Sequence, residues 1–399
     1  STIGSSALTP LYCDKVPPPE RLTSGDYSSL NNRSLLAIAR CACAGHRPQN
    51  RRYEIVTERL SQRTVDLASN LKLLETATAV SAEKSGDKEY LQLRRLVAER
   101  GLLDRQYVYY AQKISVAFGL LAASVAILII ANSLWVHLLN AAFMAVIFSQ
   151  FGFLGHDSGH RQIFRSAKRN DIVLLAAGFV TGMTPSWWQD KHNTHHVNPN
   201  QMDRDGDIEV STFAFTEEQA LATKGISRLL VRYQAFLFYP TLLLAQLSLF
   251  FGGIAYLVRR ERVRYPVLEP ILVLSGVSIY LALIFVFLPP WQGGLFVLVH
   301  RALGGLYMGS VFAPNHKGMP VLEKDTKLDY MQQQVLTARD VIPSPLVDFW
   351  YGGLNYQIEH HLFPNMPRNR LKEAREVVKP FCQSHGLPYH ETGVWQSNK

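Results

Sequence analysis

The sequence predicts an all-α integral membrane protein. About four transmembrane helices form two hairpins, joined by interfacial helices and a helical cap on the cytoplasmic side. Residues 114–156 contain no Asp, Glu, Lys or Arg, and this run is about twice the ~20 residues needed to cross a bilayer. Two further charge-free runs cover residues 233–258 and 270–300. Soluble cores seldom contain such runs, so these observations disfavour a soluble fold.

The net charge of the 399-residue chain is +9. The Lys and Arg residues collect in residues 161–169, 259–264 and 368–379, each after an apolar run or a histidine cluster. Loops on the cytoplasmic side of membrane proteins carry such an excess of positive charge. No motif of a nucleic-acid-binding protein is present, so we expect no nucleic-acid partner.

Three segments follow from composition. Residues 1–84 are polar and rich in Ser, Arg and Pro, and we expect a disordered N-terminal extension without a secretory signal. Residues 85–390 form the membrane domain, and residues 391–399 form a C-terminal tail. The four cysteines match no metal or disulfide framework.

The apolar runs define the predicted hairpins. A helix over residues 85–112 leads to the first hairpin, residues 114–154, with its turn at Asn132 and Ser133. The second hairpin consists of residues 270–288 and 295–313 around a turn at 289–294. Arg301 lies within the last span, and we expect it to snorkel towards the outer surface.

Eight of the 13 histidines fall in four short places. Side chains at positions i, i+3 and i+4 share one face of a helix, so each cluster can direct its ring nitrogens to one point. Eight imidazoles exceed the roughly four to six ligands of one ion, which favours two ions. The remaining five histidines stand alone and are interpreted as structural. The clustered residues are His156 and His160; His192, His195 and His196; His316; and His360 and His361.

All clusters must lie on one face of the membrane if they form one site, so an even number of spans separates them. Residues 172–188 lie alone between the first two clusters and should therefore not cross. Of the three apolar runs before the third cluster, residues 233–258 end in a basic stretch. We expect an interfacial or re-entrant segment there.

With these histidine clusters the sequence resembles the membrane fatty acid desaturase superfamily, which is characterised by three histidine boxes around two irons. The third box begins with Gln357 where other branches have His, which resembles the front-end branch. Flanking residues agree, including Trp187-Trp188 and Lys191 before the second box, residues 205–208 after it, and residues 361–364 and 366–368 after the third. The similarity covers roughly residues 90–390.

The resemblance implies a cap that carries a di-iron centre bound by the eight clustered histidines, with O₂ as co-substrate. Gln357 either binds metal or shapes the site, and Asn315 holds a water near it. Asp157 and Glu359 are candidates to orient neighbouring imidazoles, with a solvated surface charge as the alternative. Trp187, Trp188, Tyr351 and Tyr356 line an acyl tunnel or serve in packing.

The implied reaction inserts a cis double bond between an existing double bond and the carboxyl end of an acyl chain, carried on coenzyme A or on a lipid. The position of the new bond is open, with Δ6 favoured over Δ5 and Δ8. The His-Pro-Gly-Gly motif of a fused cytochrome b5 domain is absent from the sequence, as in bacterial members. We therefore expect a bacterial inner-membrane protein with both termini and the site in the cytoplasm. Its separate electron donor would be a ferredoxin, a flavin and iron–sulfur reductase, or free cytochrome b5.

Two other functions share these residues. A related di-iron hydroxylase or ketolase would have the same histidines but would leave oxygen in the product. A non-catalytic membrane receptor or scaffold would have lost its iron. A zinc transporter is disfavoured because its ligands would lie inside the spans.

Overall fold

The computed structural model of the protein describes residues 86–210, 212–259 and 262–398. The predicted N-terminal extension lies outside these residues, so its disorder stays a prediction. In chain order the helices are α1 (Gly86–Glu99), α2 (Tyr107–Ile130), α3 (Leu134–Gly159), α4 (Ala167–Thr181), α5 (Pro185–Val197), α6 (Glu217–Ala222), α7 (Gly225–Arg232), α8 (Gln234–Leu242), α9 (Ala245–Arg259), α10 (Leu268–Phe287), α11 (Pro290–His316), α12 (Tyr330–Leu336), α13 (Pro345–Trp350), α14 (Gln357–Leu362), α15 (Leu371–Ser384) and α16 (Val394–Asn398).

Strands contribute little to the described residues. The strands β1 (Asp340–Val341) and β2 (Glu391–Thr392) pair in parallel, with Asp340 opposite Glu391. The predicted all-α class is therefore confirmed. The predicted helix over residues 85–112 is divided into α1 and the start of α2, because the chain turns at Gly101 with φ +67°.

Four helices of the described chain, α2, α3, α10 and α11, are long and apolar enough to cross a membrane. The first hairpin turns at residues 131–133, where the sequence predicts it. The second turn is shorter than predicted, because α11 already begins at Pro290. Proline suits the first position of a helix, where its missing N–H has no partner to lose.

The apolar residues 172–188 are split between α4 and α5, and neither helix reaches spanning length. Gly182 ends α4 with φ +80°, a left-handed conformation that glycine adopts without strain. Pro185 then begins α5. This break turns the chain back towards the end of α3, as the even number of spans requires.

The start of α5 is held by the buried carboxylate of Glu269 in the first turn of α10. Its Oε2 accepts from the Ser186 N–H at 3.0 Å, and its Oε1 accepts from the Ser186 hydroxyl at 2.5 Å. The backbone N–H of Tyr265 also points to Oε1, at 3.3 Å. These bonds fix the helix that carries the second histidine cluster.

The helices α8 and α9 are bent by 72° relative to each other. This bend divides residues 233–258, for which the sequence predicts an interfacial or re-entrant segment. One straight span is therefore ruled out, and the depth of the pair in the membrane stays a prediction.

Arg301 departs from the sequence prediction. Its Nη1 donates to the carbonyl of Thr181 at 3.1 Å. The guanidinium lies 5.6 Å from the ring centroid of Phe148 and 4.9 Å from that of Tyr280. The predicted snorkelling is wrong, because these contacts stabilise the cation between the helices.

The cap consists of α1, α12, α14 and α15, which share one hydrophobic core. Leu93 of α1, Val335 of α12 and Ile358 of α14 are fully buried in it. The C-terminal residues 391–398 pack against this cap through β2. The carbonyl of Asn398 accepts from Lys317 Nζ at 3.0 Å, beside the end of α11.

Candidate metal centre

The structure brings all eight predicted histidines together. His156 lies in the last turn of α3, and His160 caps that helix. The other six come from α5, from the end of α11 and from α14. Their ring nitrogens form two groups, and within each group the nitrogens lie within 4.8 Å of one another. The first group is His156, His160, His192, His196 and His360, and the second is His195, His316 and His361.

In the three-histidine group, the Nδ1 atoms face oxygen acceptors. His195 Nδ1 lies 2.8 Å from Asp205 Oδ2, and His316 Nδ1 lies 3.0 Å from the carbonyl of Thr337. Since these oxygens accept hydrogen bonds, each Nδ1 carries the proton and each Nε2 carries a lone pair. The two Nε2 atoms face each other at 3.3 Å. Lone pairs this close repel each other unless a cation lies between them.

His361 completes this group in the same tautomer. Its Nδ1 donates to Gln334 Oε1 at 2.9 Å. Gln334 cannot turn its amide over, because its Nε2 donates to the carbonyl of His196 at 3.1 Å. The Nε2 of His361 is buried with no hydrogen-bond partner. Three lone pairs therefore converge on one point.

The five-histidine group has similar spacings. His156 Nε2 lies 3.1 Å from His360 Nε2, and His192 Nε2 lies 3.1 Å from His196 Nε2. Two nitrogens that each lie ~2.1 Å from one ion, at angles of about 90° to 109°, are ~3.0–3.4 Å apart. The buried Nε2 of His160 has no hydrogen-bond partner. The donor set therefore fits a metal ion.

Burial keeps five of the imidazoles neutral. It holds their pKa well below the ordinary value, and the neighbouring imidazoles lower the pKa further. Only the neutral ring offers a lone pair to a metal. These histidines are His160, His192, His196, His360 and His361.

Asp157 lies where the sequence places it as an orienting residue. Its Oδ1 is 3.2 Å from His156 Nδ1, and its Oδ2 forms an ion pair with Arg368 Nε at 2.9 Å. Both members of the pair are buried. A buried carboxylate needs such a partner, so Arg368 is part of the support of the first box.

Two orienting residues are missed by the sequence analysis. Asp205 holds His195, and Gln334 holds His361. The Asp205 carboxyl is buried, which alone would raise its pKa, but its interaction with His195, above all the hydrogen bond from Nδ1, keeps the pKa below its ordinary value. In the sequence, Asp205 is recognised only as one of the residues that follow the second box, without a role in orienting a histidine.

Glu359 does not orient an imidazole, so that prediction is wrong. Its Oε1 lies 2.8 Å from the Tyr389 hydroxyl, which also lies 2.6 Å from Asp340 Oδ2. Burial raises the pKa of Asp340 to about 6, and burial together with Asp340 raises that of Glu359. Asp340 and Glu359 therefore retain a proton between them behind the third box. Asp340 Oδ1 also accepts a hydrogen bond from the Ile358 N–H at 3.0 Å.

Gln357 and Asn315 are in contact beside the three-histidine group. Gln357 Nε2 lies 3.0 Å from His316 Nε2. Asn315 Nδ2 donates to Gln357 Oε1 and to the carbonyl of Leu354, at 3.0 Å in both cases. Asn315 therefore bonds directly to Gln357.

The four predicted tunnel residues are dispersed. Trp188 stacks on His192 with ring centroids 4.6 Å apart, and Trp187 packs against Gly252 of α9. Tyr351 is buried beside Phe153 and Tyr307, and Tyr356 is buried in the core of the cap. Only Trp188 therefore lies beside the metal centre.

Two of the cavities formed by the described residues lie among the spans. The first has an empty volume of about 440 Å³ and includes Gly152, Met183, Phe250, Arg301 and Met308 in its wall. The second, of about 520 Å³, is lined by apolar residues and Tyr280. Phe148 borders both cavities. Gly152 lies one helical turn before His156, so this part of the cavity wall is about one turn of α3 away from the metal centre.

Known proteins match this chain over most of its length. A family model described as "Fatty acid desaturase" matches residues 133–393. An acyl-lipid (9-3)-desaturase of Physcomitrium patens is 32% identical over 323 residues, which are 77% of this chain and 60% of that relative. A Delta(8)-fatty-acid desaturase of Arabidopsis thaliana is 29% identical over 78% of this chain and 72% of its own. A Delta(6)-fatty-acid desaturase of Caenorhabditis elegans is 29% identical over 84% of this chain and 78% of its own.

The family model covers more than half of the chain, and the fold supplies the apolar helices that membrane insertion requires. The protein is therefore an integral membrane protein. The chain belongs to the membrane fatty acid desaturase family, and its relatives place it in the front-end branch of that family.

Proposed function

We propose that the protein is a front-end fatty acyl desaturase. It inserts a cis double bond between an existing double bond and the carboxyl end of an unsaturated acyl chain. One O₂, two electrons and two protons, together with the two hydrogens removed from the chain, leave as two molecules of water. The observation that carries this proposal is the convergence of eight imidazoles one helical turn from Gly152, which lines a cavity between the spans.

The proposed cofactor is a pair of iron ions, one in each histidine group. Imidazole binds zinc, copper, iron and nickel, so the ligands alone do not select the metal. Zinc has no redox chemistry, and a methylene hydrogen is too weakly acidic for a side chain to remove. Iron would supply the one-electron and O₂ chemistry that the reaction needs.

The side chains hold and orient this centre. His156, His360 and His361 are almost fully buried, so bulk water is excluded from the reacting groups. Asp205, Gln334 and the carbonyl of Thr337 fix the ring nitrogens that face the metal. No Ser, His and Asp set for acid–base catalysis is required.

The proposed path of the acyl tail runs through the two cavities. Gly152, one helical turn before His156, leaves room in the first cavity, and Phe148 borders both cavities. The substrate is an acyl-lipid or an acyl-coenzyme A. The Physcomitrium patens relative is named as an acyl-lipid desaturase, which favours the lipid. We favour Δ6 insertion on an 18-carbon chain, with Δ5 next.

We further propose that the centre faces the cytoplasm of a bacterial inner membrane and is reduced by a separate protein. The exposed Arg165 and Lys168 lie just after the first box, which agrees with the excess of positive charge on the cytoplasmic side. An acidic ferredoxin would be attracted by this charge. A flavin and iron–sulfur reductase and free cytochrome b5 are the other candidates.

The test is made in a host that lacks such desaturases and is given an electron donor. Linoleate is supplied, and new double bonds are located by gas chromatography and mass spectrometry. The proposal expects a new bond on the carboxyl side of the existing ones, lost in His195→Ala and kept in His385→Ala. A hydroxylated product would identify a hydroxylase instead. A purified protein without iron or product would favour a non-catalytic scaffold.

A further inference from the structure

Gln357 occupies the position at which other branches of the family carry a third-box histidine. It is buried at the start of α14 and is 5% exposed. Its Nε2 lies 3.0 Å from Nε2 of His316, so the amide reaches the three-histidine group. An amide binds a metal through its oxygen, whereas its NH₂ group can only donate hydrogen bonds. The direction of this amide therefore decides its role.

Asn315 fixes that direction. Its Nδ2 lies 3.0 Å from the carbonyl oxygen of Leu354 and 3.0 Å from Gln357 Oε1. The Leu354 carbonyl accepts hydrogen bonds only, so the NH₂ group of Asn315 must face it. If Asn315 turned over, two oxygens would meet inside a buried site. The network thus assigns both amides.

The oxygen of Gln357 is engaged by Asn315, and its NH₂ group faces the metal site. His316 Nδ1 donates a hydrogen bond to the carbonyl of Thr337. Its Nε2 therefore carries a lone pair, which can accept a hydrogen bond from Gln357 or bind a metal. Asn315 thus donates both to the Leu354 carbonyl and to Gln357, and Gln357 in turn directs its own donor to the three-histidine group. A histidine in place of Gln357 would offer a lone pair where this amide offers hydrogens.

We infer that Gln357 is not a metal ligand but donates a hydrogen bond to a small exogenous ligand of the ion held by His195, His316 and His361. Three imidazoles are fewer than the roughly four to six ligands that such an ion takes, which leaves room for that ligand. A donor beside an anionic acceptor stabilises its binding. Asn315 is the residue that keeps the donor in place. This inference rests on the proposed iron centre but not on turnover.

The test uses azide as the exogenous ligand. Iron per chain is measured on the purified full-length protein, and azide is titrated by visible absorption for wild type, Gln357→Leu and His361→Leu. We expect Gln357→Leu to keep the wild-type iron content and to bind azide roughly tenfold more weakly. His361→Leu should lose iron. Loss of iron in Gln357→Leu equal to that in His361→Leu would show that Gln357 is a ligand and would overturn the inference.

Asn315 provides a second and independent variant. Asn315→Leu removes the anchor, so azide affinity should fall towards that of Gln357→Leu, with little further loss in the double variant. Independent, additive losses, or unchanged azide affinity in both single variants, would contradict the inference.

A wild-type protein that binds no iron would contradict the proposed function, whereas two irons with unaltered azide binding in every variant would contradict this inference alone.

Discussion

The carboxylate of Asp205 accepts a hydrogen bond from His195 Nδ1 at 2.8 Å, and this contact turns Nε2 of His195 towards the metal site. The same Oδ2 accepts from the Asn200 N–H at 2.8 Å, and Oδ1 accepts from the Asp207 N–H at 3.0 Å. Three donors converge on one carboxylate. The loop after the second box therefore sets the tautomer of a histidine within that box.

Asp205→Asn should weaken iron binding by roughly 10- to 100-fold. The amide has only one acceptor oxygen, so at least one of the three donors would face an NH₂ group. Iron retained after dialysis against graded chelator measures the effect. Asp203→Asn is the matched control, because Asp203 lies on the same loop and pairs only at the surface with Lys324, at 3.3 Å. Equal iron retention in both variants would contradict this role of Asp205.

Gln334→Leu should have a similar effect through His361. Leucine has no oxygen for His361 Nδ1 and no N–H for the carbonyl of His196, so the ring loses its fixed orientation. We expect roughly 10- to 100-fold weaker iron binding. Gln333→Leu is the control on the same helix, since Nε2 of Gln333 has no hydrogen-bond partner. Equal amounts of iron retained by Gln334→Leu and Gln333→Leu would refute this role of Gln334.

Gly152→Leu should block the proposed acyl path while leaving the metal in place. A Cβ at this position would already lie 3.4 Å from Met308 Cε, and the rest of the side chain would fill the cavity. Product from an 18-carbon substrate should fall at least about tenfold, with unchanged iron per chain. Gly119→Leu in α2 is the control, because nothing lies within 4 Å of its added Cβ. Full activity of Gly152→Leu would place the acyl tail elsewhere.

Glu391 should make the stability of the cap depend on pH. Burial alone would raise its pKa, but hydrogen bonds from Lys379 and Arg375 hold it below the ordinary value of 4.5. A carboxyl with a lowered folded-state pKa stabilises the protein above its unfolded-state pKa, and this stabilisation is lost as the pH falls through the folded-state pKa. Glu391→Gln should therefore lower Tm at pH 7, and the difference from wild type should shrink below pH ~4.5.

The measurement uses metal-free protein in detergent, so that loss of metal does not enter, and the titration of the histidines is common to variant and wild type and cancels in the Tm difference. Glu376→Gln is the control, since Glu376 lies on the surface of α15 and pairs with Arg375 alone, at 3.1 Å. A Tm difference that stays constant from pH 7 to pH 4 would exclude the ion pairs of Glu391 as its cause.

The histidine clusters could be predicted because their spacing is a property of one helical turn. His192, His195 and His196 need only α5 to share a face. The membrane-spanning helices could be predicted in the same way, from the length of the charge-free runs. The division into five and three histidines could not be predicted, because it depends on how α3, α5, α11 and α14 approach one another.

The contacts of Gln334, Glu359 and Arg301 could not be predicted for the same reason. Gln334 meets His196 across 138 positions of sequence and His361 across 27, and no local pattern marks such a contact. Glu359 lies next to His360 in the chain, yet its side chain turns to Tyr389. The contact of Arg301 with the carbonyl of Thr181 joins residues 120 positions apart. Since the sequence does not show this partner, it predicts that Arg301 reaches water.

His156 and His360 bring their Nε2 atoms within 3.1 Å although 204 positions separate them. Translation proceeds from the N-terminus, so both membrane hairpins leave the ribosome before the third box is made. Metal loading is therefore a late step in the biogenesis of this protein. A nonsense mutation between His316 and Gln357 would leave a chain with all four spans but without His360, which can never assemble the five-histidine site.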